Sequence, residues 1–128
     1  MKRKMTEQEL IAKFDDAVKN GHIFAYYQPK INHSTGRMIG AEALMRWEDP
    51  EFGIQYPGDF IPVMEKNDLI YRADIAMFKA VCKFQRKCLD SGKKPVPISV
   101  NMSRYDIYQK EYIKEIERLR RKYNVEPK

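Results

Sequence analysis

The sequence predicts an α/β fold, in which helices and strands alternate along one chain. Three observations predict it: apolar residues recur at helical spacing in three segments, two strand-like segments are joined by a very short link, and a third strand-like segment follows two helices. The chain has 128 residues, 43% of them apolar, which is enough for one domain with a core. Three strands make a small sheet, so we expect only the beginning of a larger α/β fold.

The first predicted element is a helix that begins after Thr6 and ends at Asn20-Gly21. Thr6 followed by Glu9 is the pattern of a capping box, and Asn-Gly is typical of a helix end. The apolar positions between these ends share one helical face. They are Leu10, Ile11, Phe14, Ala17 and Val18. We therefore expect a leading helical segment at 1–22, with the strands and their helices at 23–128.

Two strands are predicted next, at 24–31 and 38–47. The link between them has Ser34-Thr35-Gly36 at its tip and is far too short for a parallel crossover. The two strands must therefore be antiparallel neighbours. Pro29 cannot donate a backbone hydrogen bond, which favours an edge or irregular position for the first strand.

Two helices are predicted after this hairpin. A loop at 48–58 contains several Pro and Gly residues and leads to a short helix at about 59–66, with Asp59 as the predicted N-cap. A longer amphipathic helix follows at about 71–90, where apolar residues form a continuous stripe.

A third strand is predicted at 95–102 and a final amphipathic helix at about 105–123. The two preceding helices give enough chain to bring this strand back parallel to the 38–47 strand. A right-handed crossover would make the two strands neighbours in the sheet.

The second strand carries two ions in an otherwise apolar segment. Side chains alternate along a strand, so Glu42 and Arg46 share one face, whereas the other face is wholly apolar. If both faces are covered, burying Glu42 costs several kcal/mol unless a metal or another partner meets it. The two ions could pair with each other, but they lie four residues apart, on the order of 13 Å, which is too far for contact. The pattern therefore favours a functional site.

Polar residues of the third predicted strand can meet Glu42. Ser99 and Asn101 share a face, and the crossover would bring the Asn101 amide oxygen near the Glu42 carboxylate. Such oxygens are ligands for hard divalent cations, so we expect Mg²⁺ or Mn²⁺. The alternative is that Asn101 hydrogen-bonds a loop at the strand end. Gln28 of the first strand can reach the same region, and Arg46 suits a phosphate by bidentate geometry.

Charge and composition exclude some classes of function. The net charge of +6 arises from 24 Lys and Arg against 18 Asp and Glu, with much of the excess at the two ends of the chain. Such runs are usually solvated surface, and without a nucleic-acid motif we expect no DNA or RNA partner.

Cys82 and Cys88 lie about 120° apart around one predicted helix, so they should not form a disulfide bridge. A polar start and the lack of a long apolar run predict no signal peptide, no membrane insertion and a reducing, cytoplasmic setting.

Five short motifs follow one another along most of the chain. They are Tyr27-Gln28-Pro29-Lys30, Thr35-Gly36-Arg37, the run from Gly40 to Trp47, Phe60-Ile61-Pro62 with Pro57 and Glu65, and the run from Ser99 to Ser103. This series resembles the N-terminal portion of an EAL domain, the family of cyclic di-GMP phosphodiesterases of bacterial signalling, which is named after the tripeptide at Glu42. Departures are mild: Met64 and Asp68 stand where the family more often has Ala and Gly, and Met102 replaces a usual Leu.

The resemblance implies a partial (β/α)8 TIM-type barrel with a leading N-terminal helix and about its first three strands, the first strand antiparallel to the rest. It also implies that Glu42 and Asn101 are metal ligands, and that Gln28, Leu44 and Arg46 line the substrate-binding site. Leu44 would pack on a guanine and Arg46 would meet a phosphate. In the family, two divalent metals activate a water that opens one phosphodiester bond of cyclic di-GMP to give linear pGpG.

The chain supplies only part of such a site. An eight-stranded barrel takes about 250 residues, and the family's later ligands have no counterpart here. We therefore expect a truncated fragment that is inactive alone, belongs to a metal-dependent phosphodiesterase when the EAL domain is complete, and self-associates through its uncovered sheet edge. Two alternatives are a catalytically silent cyclic di-GMP-binding or scaffold domain, and a finished small domain that binds partners through its basic ends.

Overall fold

The computed structural model describes residues 2–93, 97–100 and 110–125. Helices and strands alternate along the chain, which confirms the predicted α/β class. In order they are α1 (Glu7–Lys19), β1 (Ile23–Ile31), β2 (Met38–Asp49), β3 (Gly53–Gln55), α2 (Pro57–Lys66), α3 (Ile70–Asp90), β4 (Ile98–Val100) and α4 (Lys110–Tyr123). Those parts of the predicted 95–102 strand and 105–123 helix that fall at 94–96 and 101–109 lie outside the described residues.

The strands of the described chain form one sheet around β2. β1 runs antiparallel along one edge of β2, as the short link predicts, and its register places Gln28 opposite Glu42. β4 pairs in parallel with the other edge, as the crossover predicts, and its register places Ser99 opposite Glu42. β3 joins this second edge further along, where Gln55 lies opposite Trp47. The predicted hairpin and parallel return are both confirmed.

The helices bury the apolar face of β2. α1 and α2 pack over the C-terminal end of the strand in a core that contains Phe14, Trp47 and Phe60. α3 packs over the middle of the sheet, where Met77 meets Ala43 in a second core cluster. α4 in turn packs against α3. Alternation along β2 therefore sends one set of side chains into the core and the other set to the opposite face.

That opposite face, called the inner face below, carries the polar residues of β2. Glu42, Leu44 and Arg46 are all half-buried, and Gly40 shares their side of the strand. Since Glu42 keeps contact with solvent, the large burial cost that the sequence suggested does not arise in the described chain. The division of the strand into an apolar and a polar face is as predicted.

The predicted 48–58 loop contains a strand, β3, that the sequence did not indicate. The Asp49 carboxylate accepts hydrogen bonds from the backbone N–H groups of Glu51 and Phe52, both 2.9 Å long, in a tight turn. Gly53 then adopts a φ of +84°, which glycine tolerates without strain. Burial disfavours the charged form of Asp49, but these two N–H groups and the Lys13 ammonium outweigh it and hold the pKa of Asp49 below its usual value.

Helix α2 begins at Pro57, two residues before its predicted start. Its N-cap is Tyr56, whose side chain makes no capping bond, so the prediction that Asp59 caps the helix is wrong. Proline at the first helical position has a suitable φ and lacks an N–H that would need a partner. Asp59 instead lies in the first turn, where its charge suits the helix dipole and pairs with Lys4 at 3.1 Å.

Residues 2–6, called the N-terminal strap below, pack against β3. The Arg3 N–H donates to the Phe52 carbonyl at 3.0 Å. The Gln55 side chain accepts from the Met5 N–H at 2.7 Å and donates to the Arg3 carbonyl at 2.9 Å. Met5 is buried in the core. The basic N-terminus is therefore part of the fold, not merely a solvated run as the sequence suggested.

Several local predictions are also confirmed. Thr6 and Glu9 form the capping box of α1, and each accepts a hydrogen bond from the other's backbone N–H. Cys82 and Cys88 are both free thiols. None of the helices formed by the described residues has the length and apolar character needed to cross a membrane.

Candidate functional site

Three polar side chains lie side by side across the inner face. Gln28 of β1 and Ser99 of β4 both lie opposite Glu42 of β2 in the strand register. Neighbouring strands are about 4.8 Å apart, so the backbone positions of these three residues form a row about 10 Å wide. The row carries an amide, a carboxylate and a hydroxyl. The sheet therefore brings together two of the residues that the sequence singled out, Gln28 and Glu42, and adds Ser99 to them.

Glu42 has no counter-ion within ion-pair distance among the residues that the structure describes. Its cross-strand neighbours offer an amide oxygen and a hydroxyl oxygen, and oxygen donors of this kind suit a hard divalent cation. The predicted second ligand, Asn101, lies outside the described residues. Across residues 2–93, 97–100 and 110–125, no three His, Cys, Asp or Glu side chains cluster closely enough to hold a metal ion. The described chain thus offers one carboxylate to a cation, not a full set of ligands.

A lysine that the sequence reasoning did not include lies beside this row. Lys30 of β1 lies opposite Gly40, and its ammonium crosses β2 to donate a 3.0 Å hydrogen bond to Ser99 Oγ. A Cβ on Gly40 would lie 2.9 Å from the carbonyl oxygen of Pro97, so glycine permits the close approach of β4. Strand alternation, which puts Lys30 on the same face as Gln28, is the signal that could have identified it.

Arg46 lies two residues beyond Leu44, towards the C-terminal end of β2. Its guanidinium carbon is 4.7 Å from the centre of the Tyr26 ring on β1, a cation–π geometry. No carboxylate of the described residues pairs with Arg46. Its fork of N–H donors is therefore suited to an anionic ligand.

A cavity of about 390 Å³ opens beside Leu44 and Arg46, where β2 approaches α2 and α3. Its walls are mainly apolar, and the charged groups among its described lining residues are Arg46, Glu65 and Asp74. The other lining residues are Ala43, Met45, Pro57, Ile61, Ile70, Met77 and Val100. A mainly apolar pocket with a few polar groups is the usual form of a small-molecule site. Asp74 gives no sequence signal of this role, because it lies within an ordinary amphipathic helix.

A sequence model of the EAL domain matches residues 11–128. The chain belongs to the EAL domain family. It is 37% identical over 95 residues to the bifunctional diguanylate cyclase/cyclic di-GMP phosphodiesterase MucR of Pseudomonas aeruginosa, and the match covers 74% of this chain and 14% of MucR. It is 33% identical over 98 residues to the cyclic di-GMP phosphodiesterase RocR of the same organism, with 77% of this chain and 25% of RocR covered.

Solved EAL domains have the same fold. The MucR phosphodiesterase in complex with c-di-GMP is 31% identical and superposes with a TM-score of 0.85, covering 93% of this chain and 48% of that one. The c-di-GMP-bound EAL domain of Pseudomonas aeruginosa FimX, 16% identical, gives a TM-score of 0.79 with 94% and 47% covered. The chain is therefore a partial TIM-type barrel, as predicted, and spans about half the length of these neighbours.

Proposed function

We propose that the polypeptide to which this chain belongs hydrolyses cyclic di-GMP to linear pGpG. The observation that carries the proposal is the row of Gln28, Glu42 and Ser99 on the inner face, whose central carboxylate pairs with no cation among the described residues. Arg46 lies on the same strand and face, suited to a phosphate of the substrate. The relatives named as cyclic di-GMP phosphodiesterases support this substrate.

The donor set on the inner face fits Mg²⁺ or Mn²⁺. We propose that Glu42 and Asn101 hold such a cation, and that carboxylates from the rest of the barrel complete a two-metal site. When bound, the cations supply positive charge for the reacting phosphoryl group and make water a stronger nucleophile near neutral pH. An oxygen-only donor set favours these hard cations over a metal that prefers imidazole or thiolate.

The remaining residues of this wall would bind and orient the nucleotide. Arg46 would donate to a phosphate in bidentate fashion, and Leu44 would pack against a guanine at the mouth of the 390 Å³ cavity. Gln28, opposite Glu42, would hydrogen-bond the substrate or a metal-bound group from the neighbouring strand. Orienting both ends of the phosphodiester beside the metals is how such sites lower the barrier.

We expect this chain alone to be inactive and to self-associate. One carboxylate leaves the charge of two dications poorly compensated, so most of the transition-state stabilisation would be missing. The inner face carries exposed large apolar residues, among them Tyr26 and Ile54, which a second copy would cover. Light scattering at micromolar concentration should give a mass well above the 15.2 kDa of the monomer. A monomeric mass would count against self-association.

The second candidate is a domain that binds cyclic di-GMP without cleaving it. The FimX and MucR domains were both solved with c-di-GMP bound, so binding and cleavage must be measured separately. The test compares this chain with the same chain continued to a complete barrel, each incubated with cyclic di-GMP and Mg²⁺ or Mn²⁺. Metal-dependent release of pGpG by the complete barrel alone supports the enzyme. Binding without release supports the silent domain, and release by the short chain would refute the expectation that this chain alone is inactive.

A further inference from the structure

Arg46 has two possible partners on its own surface, an aromatic ring and a carboxylate. It stacks on Tyr26, with 4.7 Å between its guanidinium carbon and the ring centre. Glu48 lies two residues further along the same face of β2, about 6.8 Å away along the strand. The two do not form an ion pair in the described chain. Among the described residues, Arg46 thus contacts the Tyr26 ring and forms no ion pair with Glu48.

The strand register shows that the contact between Arg46 and Tyr26 is diagonal across the sheet. Tyr26 lies opposite Leu44, and Phe24 lies opposite Arg46. The 4.7 Å contact therefore requires Arg46 to incline towards Leu44, Tyr26 to incline towards Phe24, or both. An Arg46 side chain that pairs with Glu48 would instead incline towards the end of the strand. The ring contact and the ion pair therefore compete for the same guanidinium.

The side chains around Arg46 leave space for it to contact either Tyr26 or Glu48. Tyr26 is 50% exposed, and a hollow of about 330 Å³ next to it is lined by Phe24, Tyr26, Arg46, Trp47, Glu48 and Ile54. Tyr26 and Glu48 line the same hollow, so Arg46 has space to reach either of them. A cation–π contact at a partly exposed site is weak, so its loss should not unfold the strand. We expect that removing the ring leaves the Arg46 side chain free to pair with Glu48.

We propose that Tyr26 is a positioning residue, which keeps the Arg46 guanidinium against its ring and away from neutralisation by Glu48. A guanidinium paired with an internal carboxylate is a poorer receptor for an anion, because the anion must displace that carboxylate. Contact with a neutral ring supplies no carboxylate, so among the described residues the N–H fork of Arg46 has no anionic partner. The functional part of this proposal rests on the proposed function, which makes a phosphate of cyclic di-GMP the anion that Arg46 binds.

The conformational part of the proposal is tested without any ligand, on the chain continued to a complete barrel, because self-association of this chain alone would cover Tyr26. Arginine side-chain signals would be recorded by NMR for the natural chain and for Tyr26→Leu, Tyr26→Phe and Arg46→Lys, the last to assign the Arg46 signals. We expect Tyr26→Leu to remove the ring-current shift of the Arg46 side chain and Tyr26→Phe to keep it. Unchanged Arg46 signals in Tyr26→Leu would overturn the proposal.

The functional part is tested on the chain continued to a complete barrel, as binding of cyclic di-GMP in EDTA, where no cleavage complicates the measurement. Tyr26→Leu should weaken binding about two- to fivefold, the range of a partly exposed cation–π contact, whereas Tyr26→Phe should not. Adding Glu48→Gln to Tyr26→Leu should restore the affinity, which a purely structural role of Tyr26 would not allow. Natural affinity in Tyr26→Leu, or no rescue by Glu48→Gln, would overturn the proposal. Failure of the natural protein to bind or cleave cyclic di-GMP both in EDTA and with Mg²⁺ or Mn²⁺ would instead refute the proposed function, and the NMR result would still decide the contact between Tyr26 and Arg46.

Discussion

Gly40 shows how one missing side chain shapes the site. It lies where the backbone at Pro97 passes closest to β2, and the Ala41 N–H donates to the Pro97 carbonyl at 2.9 Å. A methyl group there would lie 2.9 Å from that carbonyl oxygen and would push β4 away. We expect Gly40→Ala to lower the free energy of unfolding by about 1–3 kcal/mol, the usual cost of overpacking. Urea unfolding followed by circular dichroism measures it.

Gly58 provides the matched control for this substitution. It lies in the first turn of α2, and a Cβ there would have no atom within 4 Å. Gly58→Ala should therefore leave stability unchanged or raise it slightly, since alanine is the better helix former. An equal loss of stability in both variants would show that the contact with Pro97 is not the cause.

Asp68 adopts a left-handed backbone conformation between α2 and α3, with a φ of +59°. L-residues are strained there, whereas glycine adopts this conformation readily. We expect Asp68→Gly to raise the free energy of unfolding by about 1 kcal/mol and Asp68→Ala to lower it, because Asp is tolerated there better than Ala. Thermal unfolding of the two variants checks both signs. A stabilising Asp68→Ala would contradict the strain argument.

Strand alternation was enough to predict the two faces of β2, with Glu42 and Arg46 on one of them. It did not predict the contacts of Lys30 with Ser99 or of Tyr26 with Arg46. Those contacts depend on which residues lie opposite one another across the sheet, and a one-residue slip would remove them. The sequence indicates that the hairpin forms but not its register, so long side chains that reach across strands had to be seen in the structure.

At the scale of elements, β3 and the N-terminal strap were both missed for the same reason. Neither has a local signal, because a three-residue strand in a Pro- and Gly-rich loop has no periodicity to detect. Each exists through contacts with the other: Gln55 of β3 bonds the strap backbone at Arg3 and Met5, residues more than 45 positions away. The helices, by contrast, were predicted from periodicity and caps, which are properties of neighbouring residues.

The strap also makes part of the stability depend on pH. The Arg3 side chain and the Thr6 backbone hydrogen-bond the Glu9 carboxylate and lower its pKa from 4.5 to about 2. The charged form is favoured by folding, so this stabilisation is present above about pH 4.5 and is lost as the pH falls towards 2. We expect natural chain and Glu9→Gln to differ in unfolding midpoint near neutral pH and to converge near pH 2.

Glu9→Gln is a narrow test, because glutamine can still complete a capping box and only the charge is removed. Arg3→Met is its matched partner, since the Arg3 side chain is the largest cause of the lowered pKa. In both variants the free energy of unfolding should depend less on pH between about 4.5 and 2 than in the natural chain. If the difference between natural chain and Glu9→Gln persisted undiminished to pH 2, the Glu9 carboxylate would not be the group responsible.

At the scale of the whole molecule, the order of elements and the hairpin topology were predictable and the complete site was not. The chain spans 48% of the solved MucR phosphodiesterase chain, and the described residues hold one wall of a barrel with its helices. A barrel site is assembled from the ends of several strands, so one wall specifies some of the ligands and leaves the others to the remaining strands. For this reason the structure places Glu42 on the inner face as a candidate ligand of a cation, whereas residues 2–93, 97–100 and 110–125 contain no cluster of three acidic, His or Cys side chains that would complete a metal site.

The role of Glu42 as a metal ligand is tested by the rate of cyclic di-GMP hydrolysis in the complete barrel with Glu42→Gln, with Mg²⁺ or Mn²⁺ present. We expect a loss of about a hundredfold or more, since changes to residues that merely support metal ligands already cost 10–100-fold. Glu7→Gln, which removes an exposed carboxylate from α1, serves as the control and should keep the natural rate. A Glu42→Gln protein that hydrolyses cyclic di-GMP at the natural rate would show that Glu42 does not hold a cation needed for the reaction.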